Sequence, residues 1–213
     1  MQNHYIGPEN SRRWARGRQG AARDLPAGGL SKITQSPECR VRGAGKKAAV
    51  KFHLIDKIES IEPGKRIVTI KALTLAEEYL SDHFPTYPVM PGVLMLEAMV
   101  QSAAWLVRIQ QDFAKSIVML RAARNVRYAN FVQPGMTLRC EIEAISMDDD
   151  SAKFKGTGLL AEEKAVSARL ELRCSNLADR HGYLASADTE IVEELKKRFE
   201  LIGGPAALQQ AGK

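Results

Sequence analysis

The chain has 213 residues, 45% hydrophobic and 26% charged, which is typical of one soluble globular domain with extensions. No stretch reaches the roughly 18 uninterrupted apolar residues of a membrane span, and three cysteines without a CxxC pair argue against a disulfide scaffold or a structural zinc site, so we expect a reducing, cytoplasmic setting. The net charge of +6 does not indicate nucleic-acid binding by the folded part, because residues 1–49 carry a net charge of +7 and the remaining residues a net charge of −1.

Residues 1–49 are predicted to be a disordered, basic extension. They hold seven of the 16 glycines and few large aliphatic side chains, too little apolar surface to offset the entropy of ordering. Three interpretations remain open: a basic tail for an acidic partner, an Arg-rich transit peptide, or an over-extended reading frame. We favour the last, because strand-like sequence begins abruptly at Val50 and a GTG start codon would be read there as Val.

The next segment predicts a hairpin followed by helices. Strands are expected at Phe52–Ile61 and Arg66–Leu73, and Pro63 and Gly64 between them suit a type II turn. A short helix is predicted over Leu75–Leu80. A loop with three prolines, Ser81–Gly92, then leads into a long helix over residues 91–111, with Pro91 in its first turn.

Four more strands are predicted after the long helix, at Ser116–Tyr128, Met136–Met147, Ala152–Ala161 and Ala165–Cys174. One apolar helix among about six strands in hairpin order predicts an α+β domain with an antiparallel sheet around a central helix. A charged helix is expected at Ala187–Leu201, with Asp188 or Thr189 as its N-cap.

The long helix carries a carboxyl group on an apolar surface. Twelve of the fifteen residues from Val93 to Val107 are apolar, which predicts a buried helix. Glu97 and Gln101 lie four residues apart, so their side chains share one face and can meet, and Ala104 leaves room beside them. Desolvation there favours the protonated carboxyl and a proton-donating role. The alternative is a structural carboxylate satisfied by the Gln101 amide.

The preceding loop brings a histidine to the start of this helix. Its three prolines fix the backbone path, which ends at Gly92, where free N–H groups and the helix dipole favour a partial negative charge. His83, Gly92 and Glu97 thus offer a base, an oxyanion-type donor and an acid within fifteen residues. A histidine that only caps a turn is the structural alternative.

A long motif resembles the signature of the FabZ-type 3-hydroxyacyl-[acyl-carrier-protein] dehydratases. It reads His83-Phe84-Pro85-x-x-Pro88-Val89-Met90-Pro91-Gly92-Val93-Leu94-x-x-Glu97-Ala98-Met99-x-Gln101. A weaker second motif of that family is matched by Phe131-Val132-Gln133-Pro134-Gly135-Met136-x-Leu138, and the opening Phe52-His53-Leu54-Ile55-Asp56 is also similar. The resemblance covers about Val50 to Asn176.

The resemblance implies a hot-dog fold over residues 50–178, with 179–213 as a C-terminal extension that either packs on the sheet or binds a partner. It implies a homodimer, often assembled further into a trimer of dimers, with the catalytic His and Glu supplied by different subunits. His83 matches the catalytic histidine and Glu97 the catalytic acid. Gly92 matches the position whose N–H holds the thioester carbonyl, and Val93 follows it at the helix N-terminus.

These residues suit the elimination of water from a 3-hydroxyacyl thioester in fatty acid biosynthesis. Neutral His83 can take the C2 proton and protonated Glu97 can give a proton to the departing hydroxyl, with Gln101 in support. Neither a metal nor an organic cofactor is needed. The expected partner is an acyl carrier protein with a phosphopantetheine-linked substrate. An acyl tunnel is expected to be lined by Phe84, Pro91, Val93, Leu96 and Val100.

Two other functions stay open at this stage. A hot-dog acyl-CoA thioesterase also places a carboxylate on the long helix, although hydrolysis has no need of the paired histidine. A non-catalytic acyl-binding or regulatory protein is suggested by the basic tail and by Thr86, which stands where the family usually has Gly. Arg121, Arg124 and Arg127 predict a solvated edge or a docking surface for an acidic carrier.

Overall fold

The computed structural model describes residues 52–84 and 86–211, so the predictions for residues 1–49 lie outside the described part of the chain. The sheet strands are β1 (Lys57–Glu62), β2 (Arg66–Ala72), β3 (Ile117–Tyr128), β4 (Thr137–Met147), β5 (Ser151–Leu160) and β6 (Glu163–Ser175). The helices are α1 (Gly92–Gln110), α2 (Ala185–Leu201) and α3 (Gly204–Ala211), with short 3₁₀ turns at Glu78–Leu80 and Gly182–Leu184.

The six strands form one antiparallel sheet in the order β1-β2-β4-β5-β6-β3, and α1 packs across it. Apolar residues on α1 such as Ala98, Met99 and Leu106 are completely buried, because the helix is apolar on nearly every face. By length and composition α1 could cross a membrane, but 56% of that stretch is buried inside this domain, as befits a core helix. The predicted α+β hot-dog fold is confirmed.

The first strand begins five residues later than predicted. The Leu54 N–H donates to the side-chain oxygen of Gln101 at 2.9 Å, and the Phe52 carbonyl accepts from the Gln101 amide at 3.3 Å. Residues 52–54 are therefore fastened to α1, and the chain joins the sheet only from Asp56, whose N–H donates to the Ile70 carbonyl at 2.9 Å. The predicted turn is present, since Lys65 N–H donates to the Glu62 carbonyl at 2.9 Å and Gly64 has φ of 74°. The helix predicted at 75–80 is only a 3₁₀ turn.

The prediction of Asp188 or Thr189 as the α2 N-cap was wrong, because the helix begins at Ala185. The Asp188 carboxylate instead accepts hydrogen bonds from the N–H groups of Leu177 and Ala178, at 2.8 and 2.9 Å, and from the Ser116 hydroxyl. Desolvation acts to raise its pKa, but the hydrogen bonds from Ser116, Ala178 and Leu177 prevail and the pKa of Asp188 is lowered. Asp188 thus ties α2 to the segment that follows β6.

The C-terminal segment packs on the domain, which answers the question that the sequence left open. Ile58 N–H in β1 donates to the Ile202 carbonyl at 2.8 Å, and α3 lies along β1. The helix α3 was not predicted; Gly203, with φ of 83°, allows the chain to turn between α2 and α3. Gly204 lies so close to the Phe199 ring that a Cβ atom would stand 2.1 Å from it. The two glycines therefore permit α3 to fold back from α2 and lie along β1.

Phe199 joins α2 to the end of α1, so we expect Phe199→Ala to destabilise the domain. The side chain is 8% exposed, and its ring lies 5.9 Å from that of Trp105 and 5.8 Å from that of Phe113. Removing a buried aromatic ring costs about 3 kcal/mol of unfolding free energy, or a fall in Tm of roughly 10 °C. Thermal unfolding measures this change in Tm, and Leu201→Ala, on the exposed side of α2, is the matched control. An unchanged Tm in Phe199→Ala would contradict this packing role.

Candidate active site

The histidine loop is held in place by the segment that follows β3. Met90 N–H donates to the Val132 carbonyl at 2.8 Å, and the Gln133 amide donates to the Tyr87 hydroxyl at 2.5 Å. The Tyr87 ring also meets the Phe131 ring edge to face, with centroids 6.3 Å apart. The two sequence motifs are therefore neighbours in space, and the second motif braces the first.

Free backbone donors lie where this loop enters α1. Within the described residues, the N–H groups of Gly92 and Val93 have no hydrogen-bond acceptor, as expected for the first turn of a helix. Gly92 packs under Tyr128, where a Cβ atom would stand 3.0 Å from the ring. Glycine at position 92 therefore makes room for the Tyr128 ring, and the two free N–H groups are donors suited to a substrate oxygen.

The loop has a left-handed residue next to the histidine. Phe84 has φ of 50°, a conformation that is uncommon for a non-glycine residue, and Thr86 is exposed. The Phe84 ring lies against His83, with centroids 4.6 Å apart. The left-handed backbone at Phe84 therefore places an aromatic ring next to the histidine.

Glu97 and Gln101 meet as their spacing predicts. The Gln101 amide donates to Glu97 Oε1 at 2.9 Å, while Gln101 also holds Phe52 and Leu54. Gln101 is consequently held by three hydrogen bonds, and it sets the position of the Glu97 carboxyl group. The other polar residue of this stretch, Ser102, is turned away: its hydroxyl donates to the Ala98 carbonyl at 2.7 Å and contacts Thr69 in the core.

One chain places His83 and Glu97 in two separate cavities. His83 shares a cavity of about 270 Å³ with Phe84, Gly92 and Tyr128. Glu97 and Gln101 line another, of about 230 Å³, with apolar walls from α1, β3 and α2. The structure of one chain therefore brings Gly92 to the histidine but does not bring the acid to it.

The residues predicted to line an acyl tunnel do not all lie in one cavity. Phe84 lines the histidine cavity and the buried Val100 lines the acid cavity, whereas Pro91 and Leu96 line neither. Val93 is 67% exposed at the helix N-terminus, so it is not a core residue of this chain. Sequence patterns did not identify four further residues that line the cavities, namely Met95, Tyr128, Trp105 and Arg108.

Comparison with known proteins identifies the family. The profile of the FabA-like domain matches residues 47–169, more than half of the chain. The chain belongs to the FabA-like family. It is 39% identical over 119 residues to the 3-hydroxyacyl-[acyl-carrier-protein] dehydratase FabZ of Clostridium kluyveri, covering 56% of this chain and 83% of that protein. The FabZ of Variovorax paradoxus is 40% identical over 122 residues, covering 56% and 81%.

Solved structures support the same fold. The dehydratase heterocomplex ApeI:P from Xenorhabdus doucetiae matches with a TM-score of 0.52 and 18% identity, over 62% of this chain and 90% of that one. The helices α2 and α3 lie beyond the part of the chain that the FabA-like profile covers. Of these two helices, α3 lies along β1, whereas α2 packs against the end of α1 through Phe199.

Proposed function

We propose that the protein is a 3-hydroxyacyl-[acyl-carrier-protein] dehydratase, a hydro-lyase of fatty acid biosynthesis. The observation that carries this proposal is the full His83-to-Gln101 motif folded into its predicted parts, in a chain 39% identical to a FabZ enzyme. The histidine stands beside free N–H groups at a helix N-terminus, and the acid is positioned by a fixed amide. An acyl carrier protein is the partner that delivers the substrate, and a cytoplasmic location suits this soluble enzyme.

The reaction follows from these groups. His83 takes the C2 proton, and the electrons of the C2–H bond form the C2=C3 double bond as the C3–O bond breaks. The hydroxyl leaves with its bonding pair, accepts a proton from Glu97, and departs as water. The N–H groups of Gly92 and Val93 stabilise the negative charge on the thioester oxygen while the proton is removed. Proton return from His83 to Glu97 through solvent restores both groups, so no cofactor is consumed.

A homodimer would complete this site. The two edges of the sheet differ: β1 is covered by α3, whereas β3 is a twelve-residue edge strand on which Met119 is 57% exposed. A long edge strand that no other described strand pairs on its outer side favours pairing with a second copy. Continuous pairing of β3 with β3 would let the acid cavity of one subunit face the histidine cavity of the other. We also propose that these dimers assemble further into a trimer of dimers.

The arginines of β3 are proposed to help dock the carrier. Arg121, Arg124 and Arg127 are all exposed, and Arg121 also pairs with Glu171 at 3.0 Å. An exposed basic strand attracts an acidic carrier protein and the phosphate of its prosthetic group.

Product analysis tests the proposed function. Purified protein is incubated with a 3-hydroxyacyl thioester, and both the enoyl-thioester absorbance and the release of free thiol are followed. We expect enoyl product without thiol release. Thiol release without enoyl product would establish a thioesterase instead, and neither product from a folded protein would favour an acyl-binding role. The same assay run with enoyl thioester and water detects the reverse reaction.

A further inference from the structure

The cavity beside Glu97 is a groove that runs down one face of α1. Glu97, Gln101, Ala104 and Arg108 follow each other at helical spacing on this face, and all of them line the cavity. From Glu97 to Arg108 the helix advances about 16 Å. An acyl chain whose C3 hydroxyl contacts Glu97 therefore has its later carbons in the direction of Arg108.

Apart from Gln101 and His53, the walls between the two ends of the groove are largely apolar. They are formed by side chains from α1, from β3, from the 52–56 segment and from α2, namely Val100, Trp105, Val118, Ile55 and Leu195. Leu195 shows that the C-terminal addition closes this groove, because α2 lies outside the part of the chain that the family profile matches. The part of the groove between Glu97 and Arg108 therefore suits a hydrocarbon chain.

Arg108 is a partly buried cation that has no acidic partner within the described residues. Its Nε atom is buried and has no hydrogen-bond partner, and within the described residues its guanidinium forms no salt bridge. Its neighbour is the Trp105 ring, with the guanidinium carbon 5.3 Å from the ring centroid. Burial lowers the pKa of Arg108 to about 10, so the side chain still carries its charge at neutral pH.

The other charges of the groove do not neutralise Arg108. Arg198 lines the same groove from α2 and donates to the Ile55 carbonyl at 3.4 Å, so it adds positive charge. Among the described residues that line the groove, the one acid is Glu97, which stands three turns away and is engaged by Gln101, and His53 is the remaining titratable side chain. A charge that is removed from water without a partner is costly, so an anionic ligand at this end of the groove would be favoured.

We propose that Arg108 binds a carboxylate at the far end of the acyl chain, so that the preferred substrates are 3-hydroxyacyl thioesters with a terminal carboxyl group. The inference rests on the proposed function for the dehydration step and adds the class of acyl chain. A bidentate pair between guanidinium and carboxylate satisfies the orphaned donor and neutralises the charge inside the groove. An alkyl chain end would instead displace water from the guanidinium and leave it bare.

Substrate pairs test this assignment. Wild-type protein and Arg108→Met are given 3-hydroxyacyl thioesters of equal chain length that end in a carboxylate, in its methyl ester or in a methyl group, over a series of lengths. We expect the wild type to favour the carboxylate over the ester by about tenfold or more in kcat/KM, and Arg108→Met to lose or reverse that preference. Arg66→Met, an exposed arginine on β2, is the matched control and should keep it.

A binding measurement separates this inference from the dehydratase proposal. Saturated acyl thioesters with the same three chain ends are added, and the rise in Tm is measured without any turnover. A larger rise with the carboxylate than with the ester in wild type, absent in Arg108→Met, supports the carboxylate site even if no enoyl product forms. Equal handling of all chain ends by wild type, or an unchanged preference in Arg108→Met, would overturn it. Loss of enoyl product alone would refute only the dehydratase.

Discussion

Changing Glu97 to Gln, or His83 to Ala, is expected to lower the rate of enoyl formation by about 10²- to 10⁴-fold. A positioned acid or base contributes roughly that factor to a proton-transfer step. Glu97→Gln keeps the shape of the side chain and retains an oxygen that can accept from the Gln101 amide, so only the transferable proton is lost. His83 is partly exposed and shares its cavity with Gly92, so alanine there removes the base without opening the core.

The controls for these variants address folding and charge. Glu193→Gln removes a carboxylate from the exposed side of α2 and should leave turnover unchanged. The Tm of each variant should stay close to that of wild type, because neither side chain belongs to the buried core. Near wild-type turnover in Glu97→Gln would show that another group donates the proton, and the acid role assigned to Glu97 would be wrong.

The fold could be predicted from the sequence because its signals are local. The apolar stretch of α1 and the turn residues between strands depend on side chains close together in the chain, and the strands lie within a few residues of their predicted ends. The start of β1 was misplaced because Phe52 and Leu54 bond to Gln101, forty-seven or more residues away. The sequence around Phe52 contains no signal that predicts a contact with Gln101.

The ends and edges of the domain also depended on distant contacts. Asp188 has the character of a helix cap, yet its carboxylate binds Leu177 and Ala178 because α2 begins earlier and folds back on that segment. The helix α3 follows two glycines that suggest the end of ordered structure, but Gly204 is required by the position of the Phe199 ring. Close packing, which sequence patterns do not display, decided both cases.

The candidate site was accessible from the sequence only where its residues form a motif. The pairing of Glu97 with Gln101 follows from helical spacing, and the motif located His83 and Gly92. Arg108 lies on the same helix face but outside the motif, and its significance comes from a buried Nε atom that has no hydrogen-bond partner among the described residues. Charge and burial together are visible only once the walls of the groove have been assembled from four parts of the chain.

Mixing the two inactive variants is expected to restore about a quarter of the wild-type activity. If each site takes its histidine from one subunit and its acid from the other, a dimer of His83→Ala with Glu97→Gln contains one intact site and one site that lacks both groups. Random exchange makes half of the dimers mixed, so about a quarter of all sites are intact. Co-expression with two different affinity tags isolates the mixed dimer, whose activity should be about half that of wild type.

The result distinguishes a shared site from a site within one chain. If His83 and Glu97 of the same subunit acted together, every site in the mixed dimer would lack one group and activity would stay as low as in the parent variants. The separate cavities of His83 and Glu97 in one chain favour restoration. A mixture of Glu97→Gln with the double variant His83→Ala/Glu97→Gln serves as the control, because no pairing of those chains supplies an acid. Restoration in the first mixture alone would therefore place the acid of one subunit beside the histidine of its partner.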